Sequence, residues 1–163
     1  MATYITSGHV GKLDQVDTSP TQVVGTKVAL SDGGEAIYVQ ALSEISTYAA
    51  VSVYVNNTAN MLTTTTAVSS KRVGFADAVS VASGSYAWVR LSGRPKVNLA
   101  ANCADEVTLF TTATGGVLDD ATVSASQILG VTSTVSNATD ASQATCIVPN
   151  GAMIAVFSGS PGA

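Results

Sequence analysis

Short runs of hydrophobic residues, separated by Gly, Asn, Asp or Ser, follow one another along most of the chain. They are rich in Val, Ile, Thr and aromatic residues, which favour strands. These runs predict ten strands, namely TQVVGTKVAL, EAIYVQAL, AAVSVYV, RVGFADAVSV, YAWVRL, KVNL, EVTLFTT, QILGVTSTV, ATCIV and AMIAVF. The pattern is typical of an all-β protein.

One segment, residues 36–46, also fits a helix, because Ile37, Ala41 and Ile45 recur at helical spacing. The turn signal SDGG precedes this segment, and its centre is β-branched and aromatic. Both features favour a strand.

Two parts of the chain resemble each other. AAVSVYVNNTANML aligns without gaps on DEVTLFTTATGGVL, which places Val51 on Val107. The same offset carries RVGFADAV onto ILGVTSTV and Gly74 onto Gly130. IYVQA corresponds to AWVRL at a shorter spacing, which pairs Tyr38 with Trp88. The alignment predicts an internal duplication.

Each copy is too small to bury two faces alone, so the duplication predicts a small β-barrel or sandwich built from two β units. We expect this domain over residues 21–158, with the copies at about 36–82 and 86–148. Residues 1–20 have no sustained hydrophobic period and predict an extended N-terminal arm, and residues 159–163 predict a flexible tail.

Charge and hydropathy exclude several functions. The chain has 7 Lys and Arg against 11 Asp and Glu, a net charge of −4, so it lacks the basic face that nucleic acids require. Ser, Thr, Asn and Gly interrupt every apolar run before the ~18 residues needed to cross a bilayer. The first residues resemble no secretory leader, which predicts synthesis in the cytosol.

Side chains for catalysis or metal binding are sparse. His9 is the only histidine and lies in the predicted arm, so the chain has no apparent catalytic triad, and we expect a protein that is not an enzyme. Cys103 and Cys146 lack metal-ligand spacing, which predicts unpaired, reduced thiols. Asp119 and Asp120 lack the alternating oxygens of a calcium loop and predict a plain turn. We therefore expect no cofactor and no metal.

Only 11% of the residues are charged, and Ser and Thr supply about a quarter of the chain. A monomeric protein usually carries about a quarter charged residues. This deficit suggests that other subunits cover much of the surface.

The stretch GSYAWVRLSGRPKVNL contains the only Trp of the chain. If this stretch is a strand, its small aliphatic residues Ala87, Val89 and Leu91 lie on an inward face. The opposite face then forms an exposed or half-covered stripe of Tyr86, Trp88 and Arg90. Arg94 lies in the corner that follows. Two interpretations stay open: Trp88 packs on its repeat partner with Arg90 stacked over it, or the stripe anchors another protein.

Several segments resemble the capsid decoration (cement) proteins of tailed bacteriophages. They are VGTKVALSDGGEAIYVQALSEISTYAAVSVY, GFADAVSVASGSYAWVRLSGRPKVNL, EVTLFTTATGGVLDDAT and ILGVTSTV. The resemblance implies a virion protein on the outer surface of an icosahedral shell. It also implies a homotrimer that ties neighbouring major capsid proteins together and stabilises the capsid.

Under this hypothesis the arm is disordered in isolation and becomes ordered on the capsid. Its apolar residues would then enter grooves or extend a sheet of the partner, namely Tyr4, Ile5, Val10, Leu13 and Val16. The alternative hypothesis is a host- or carbohydrate-binding module of a phage tail fibre, in which Tyr86 and Trp88 stack on a sugar.

Overall fold

The structure is a computed structural model that describes residues 12–67, 72–77, 79–121, 126–134 and 143–156. Its elements are β1 Val16–Asp17, β2 Lys27–Ala29, β3 Glu35–Ala41, β4 Ala50–Val53, β5 Thr58–Met61, α1 Thr64–Ala67, β6 Arg72–Phe75, β7 Tyr86–Arg90, β8 Lys96–Leu99, β9 Thr108–Thr111, β10 Val117–Asp119, β11 Ser126–Ser133, β12 Gln143–Ile147 and β13 Met153–Val156. The protein is all-β, as predicted, and each of the ten predicted runs overlaps a strand. Residues 36–46 contain β3 and no helix.

Five strands of the first half close into a barrel. The order around it is β3, β5, β4, β6 and β7, and β7 returns to β3. The β3–β5 pair is parallel, and the other four pairs are antiparallel. Small aliphatic side chains fill this barrel, among them Val39, Val51, Val53 and Val89.

Five strands of the second half pair in the same order. β8 is parallel to β10, and antiparallel pairs then link β10 to β9, β9 to β11, β11 to β12 and β12 back to β8. The interior contains Val97, Leu99, Leu109, Leu118 and Cys146. The chain is therefore built from two small barrels of one topology.

The register of the two barrels matches at the offset found in the sequence. Val53 pairs with Arg72 in the first barrel. The residues that align with them in the sequence, Leu109 and Ile128, pair with each other in the second barrel. The other proposed correspondence, of IYVQA with AWVRL, is wrong as a repeat relation. Those segments are β3 and β7 of one barrel, so the second unit begins at β8 and not at residue 86.

The aligned glycines serve different purposes. A Cβ on Gly74 would lie 2.4 Å from Cγ1 of Val89, so this position is kept small by packing inside the first barrel. Gly130 has φ +79°, and a Cβ there would lie 2.7 Å from the carbonyl oxygen of Gly151. It sits where the β9–β11 register shifts, a bulge that needs a left-handed residue.

The two barrels pack side by side through main-chain hydrogen bonds and a shared core. The amide of Ala50 donates to the carbonyl of Gly116 at 2.9 Å, and the amide of Gly116 donates to the carbonyl of Leu62 at 2.9 Å. Val73 and Phe75, on the outside of the first barrel, belong to the hydrophobic cluster that fills the second. The barrels therefore form one unit.

The described part of the predicted arm packs on the first barrel. β1 pairs with β7 through Val16 opposite Ala87, and Leu13 is buried. The expectation of a free arm is therefore wrong for residues 12–20, because Leu13 and Val16 bury apolar surface against the barrel of their own chain. Among the described residues, no helix has the length and hydrophobicity needed to span a membrane.

Candidate interaction surface

The predicted stripe on β7 is mostly covered. Ala87, Val89 and Leu91 point into the first barrel, as predicted. On the opposite face, however, Trp88 is only 5% exposed, because β2 and the residue Leu13 lie over it. Trp88 therefore belongs to a second, smaller core between the barrel and residues 12–30, which we call the N-terminal segment.

Tyr38 is the centre of this smaller core. Its ring centroid lies 5.0 Å from that of Trp88 in a tilted arrangement and 6.1 Å from that of Tyr86, with which it is stacked. Such pairs stabilise a core by ~0.5–1.5 kcal/mol beyond the burial of area. Of the two interpretations of the stripe, the structure matches packing of Trp88 on Tyr38, although the two residues are cross-strand partners within one barrel.

The hydroxyl of Tyr38 holds the N-terminal segment to the barrel. It donates to Oδ2 of Asp17 at 2.5 Å and accepts from the amide of Thr21 at 3.2 Å. Burial and the bond to Asp17 raise the pKa of Tyr38. Burial by itself would raise the pKa of Asp17, but hydrogen bonds from Thr21, Tyr38 and Gln15 outweigh it and lower the pKa of this carboxyl.

Arg90 is also buried, which contradicts its expected exposure. Its Nη1 lies 2.6 Å from Oδ2 of Asp32, and its Nη2 lies 3.9 Å from Oδ2 of Asp77. It therefore pairs with carboxylates. Since Asp32 lies in the turn between β2 and β3, the ion pair fastens this turn to the end of β7.

The remaining predicted contact residues divide into three groups. Tyr86 is half-buried and Arg94 is exposed, so both are accessible at least in part. Leu13 and Val16 are taken up by intramolecular packing. Tyr4, Ile5 and Val10 lie outside the described residues.

Sequence reasoning missed two exposed valines on neighbouring loops. Val23 and Val55 are both 79% exposed. Their loops touch, since a Cβ on Gly25 would lie 2.4 Å from Nδ2 of Asn57. The sequence does not show that these two loops, which we call the valine loops, are neighbours.

A second missed site lies on the outside of the second barrel. Leu129 on β11 pairs directly with Met153 on β13, and they are 42% and 58% exposed. Their neighbours Ile128 and Ile154 face the core. We call Leu129 and Met153 the β11–β13 pair. The alternation of inward and outward side chains along each strand places these two residues on an outward face, but the sequence does not show that the two strands are adjacent.

Cys103 and Cys146 are buried free thiols. Burial, followed by the charges of Asp120 and Asp119, raises the pKa of Cys103 to about 11. Burial, and to a smaller extent the interaction with Cys103, raises the pKa of Cys146 to about 12. Both thiols are therefore neutral at physiological pH.

Cys103, Asp119 and Asp120 are a group that the sequence did not bring together. Their possible metal-binding atoms all lie within 4.8 Å of one another. Oδ2 of Asp120 accepts from the amide of Ala104 at 3.0 Å, and Oδ1 of Asp119 accepts from the amide of Asp120 at 2.8 Å. Both carboxylates thus accept main-chain hydrogen bonds where β10 ends.

Comparison of the chain with protein-family models, with curated proteins and with solved structures produced no match.

Proposed function

We propose that this protein is a non-enzymatic structural subunit that decorates and stabilises the capsid of a tailed bacteriophage by cross-linking neighbouring major capsid proteins. The observation that carries the proposal is the presence of two exposed apolar sites, the valine loops and the β11–β13 pair, on a β body with only 11% charged residues. Exposed apolar patches are typical of surfaces that bind other proteins.

The two sites belong to different barrels, which suits a cross-linking role. Because the barrels are joined by hydrogen bonds and a shared core, a load applied at one site is transmitted to the other. Many such subunits on a shell would resist outward pressure from packaged DNA through modest contacts that act together.

The tail-fibre alternative loses its main support. A sugar-stacking platform requires accessible aromatic faces, whereas Trp88 is buried under the N-terminal segment and Tyr86 is half-buried against Tyr38. No other observation favours that alternative.

The number of copies in purified virions tests the proposal. Decoration predicts hundreds of copies per particle on the outer capsid surface, measured by quantitative mass spectrometry and image reconstruction. A few to tens of copies, located at the tail, would contradict decoration and favour the fibre.

Self-association is part of the same proposal, with a homotrimer as the expected state. A stable interface buries more than ~1,000 Å². Analytical ultracentrifugation should show three times the 16.4 kDa chain mass at micromolar concentration. A stable monomer under these conditions would remove the trimer.

A further inference from the structure

A cleft of about 520 Å³ lies between the end of the first barrel and the segment that leads into β13. Its volume is in the range typical of binding sites in proteins. The side chains that give it its character come from β2, β3, β6, the residues after β7, and β13, namely Lys27, Glu35, Arg72, Val73, Leu91 and Met153.

The charge of the cleft is opposite to that of the chain. Among the described residues, its lining contains two cations, Lys27 and Arg72, and one carboxylate, that of Glu35, whereas the whole chain has a net charge of −4 and only 7 basic residues. Nη2 of Arg72 lies 3.4 Å from Oδ1 of Asn57, a contact that helps to orient the guanidinium. The cleft therefore attracts carboxylates.

One wall of the cleft is apolar. Val73 and Leu91 are buried in it, and Met153 projects from it. Met153 is also half of the exposed β11–β13 pair, so the apolar surface continues from the cleft to Leu129. A ligand that fits both walls carries negative charge on one side and apolar groups on the other.

Two terminal strands border the cleft. β2 is the last strand of its sheet and contributes Lys27. β13 is the last strand of the other sheet and contributes Met153, and next to it the amide of Val73 on β6 donates to the carbonyl of Ala152 at 3.1 Å. Terminal strands are the positions at which an extended peptide adds to a sheet, and its side chains then alternate between two faces.

We propose that the cleft binds an extended acidic peptide of a partner protein in which acidic and apolar residues alternate. Its carboxylates contact Lys27 and Arg72, and its apolar side chains cover Met153 and Leu129. The identification of this partner with the capsid rests on the proposed function, but the binding of the peptide does not.

Titration of the full-length, ¹⁵N-labelled protein with a capped hexapeptide of alternating Asp and Leu tests the proposal. We expect saturable shifts of the amide signals of Gly33, Gly151 and Met153, and binding that weakens as salt is added. A hexapeptide of alternating Asn and Leu should bind at least tenfold more weakly.

The variant Lys27→Gln/Arg72→Gln should bind the acidic peptide at least tenfold more weakly. Lys12→Gln/Arg94→Gln is the matched control, because it removes the same charge from exposed positions outside the cleft. Thermal melts establish that both variants are folded, and Lys27→Gln alone is used if the loss of Arg72 impairs folding.

Equal binding of the Asp and Asn peptides, equal loss in both double variants, or shifts confined to residues outside both the cleft and the β11–β13 pair would overturn the proposal. Citrate that reproduces the same shifts with the same affinity would also overturn it in favour of a small anion. A low copy number in virions would refute decoration and leave the peptide result standing, so the two failures are distinguishable.

Discussion

Tyr38 and Trp88 lie directly opposite each other on β3 and β7, with ring centroids 5.0 Å apart. Their rings project to the outside of the first barrel, where Leu13, Val28 and Leu30 cover them. This aromatic pair converts the outer face of the barrel into a second core, and it accounts for the docking of the N-terminal segment.

Trp88 is the only tryptophan, so its fluorescence reports this core directly. We expect blue-shifted emission and slow quenching by acrylamide in the native protein. Trp88→Ala should lower the free energy of unfolding by about 3–5 kcal/mol, as removal of a large buried ring does. Arg94→Ala, at an exposed position, should have little effect on stability. Native emission that resembles free tryptophan would contradict the burial of Trp88.

The contact between Asp17 and Tyr38 should make the stability depend on pH. Because the folded pKa of Asp17 lies below its ordinary value of 3.8, its contribution to stability is present above pH 3.8 and is lost as the pH falls through the lowered pKa. Denaturant unfolding between pH 2 and 7 should therefore show that the free energy of unfolding falls less on acidification in Asp17→Asn than in the wild type.

Tyr38→Phe tests the same contact from the other side. It keeps the ring and removes the hydroxyl that bonds Asp17, so we expect a loss of about 1 kcal/mol at neutral pH. The double variant Asp17→Asn/Tyr38→Phe should lose less free energy of unfolding than the sum of the losses in the two single variants. Additive losses would show that the two side chains do not interact.

Gly116 should be the most sensitive glycine at the junction of the barrels. It has φ +75°, and a Cβ there would lie 2.4 Å from Cβ of Ala49. Gly33 has a similar φ of +86° but no atom within 4 Å of a Cβ. Gly33→Ala should therefore cost only the backbone strain, about 1 kcal/mol, whereas Gly116→Ala should cost several times more. Equal losses in thermal or denaturant unfolding would contradict the close packing of the junction.

The buried thiols predict a loss of stability at high pH. Unfolded cysteines ionise near the ordinary pKa of 9.0, whereas the native pKa is about 11 for Cys103 and about 12 for Cys146. The unfolded state thus releases protons first, and stability is lost as the pH rises above 9 towards these native values. Cys103→Ala/Cys146→Ala should show a shallower decline.

Alkylation gives an independent check of the same residues. Iodoacetamide should modify both thiols rapidly after unfolding without any reductant, and only slowly in the native protein, because both are buried. Two unmodified cysteines after unfolding would indicate a disulfide.

Local sequence pattern was sufficient for the strands and for the inward face of β7. Alternation sends Ala87 and Val89 to one side of a strand whatever surrounds it. The internal repeat was also readable, because β4 with β6 and β9 with β11 keep both their hydrophobic positions and their register. Short strands such as β5 and β10 were not predicted separately, since their few residues carry almost no periodic signal.

The fate of the outward face was decided only by tertiary structure. Alternation places Trp88 and Arg90 opposite the barrel interior, but it does not say whether another segment covers that face. Leu13, which is distant in sequence, covers Trp88, and Asp32 neutralises Arg90 from the β2–β3 turn. Whether an outward face is buried depends on contacts between segments that are distant in sequence. Such contacts bury Trp88 and Arg90, although the sequence pattern predicts that they are exposed or half-covered. The exposed apolar sites lie where no segment of the described chain packs on the surface.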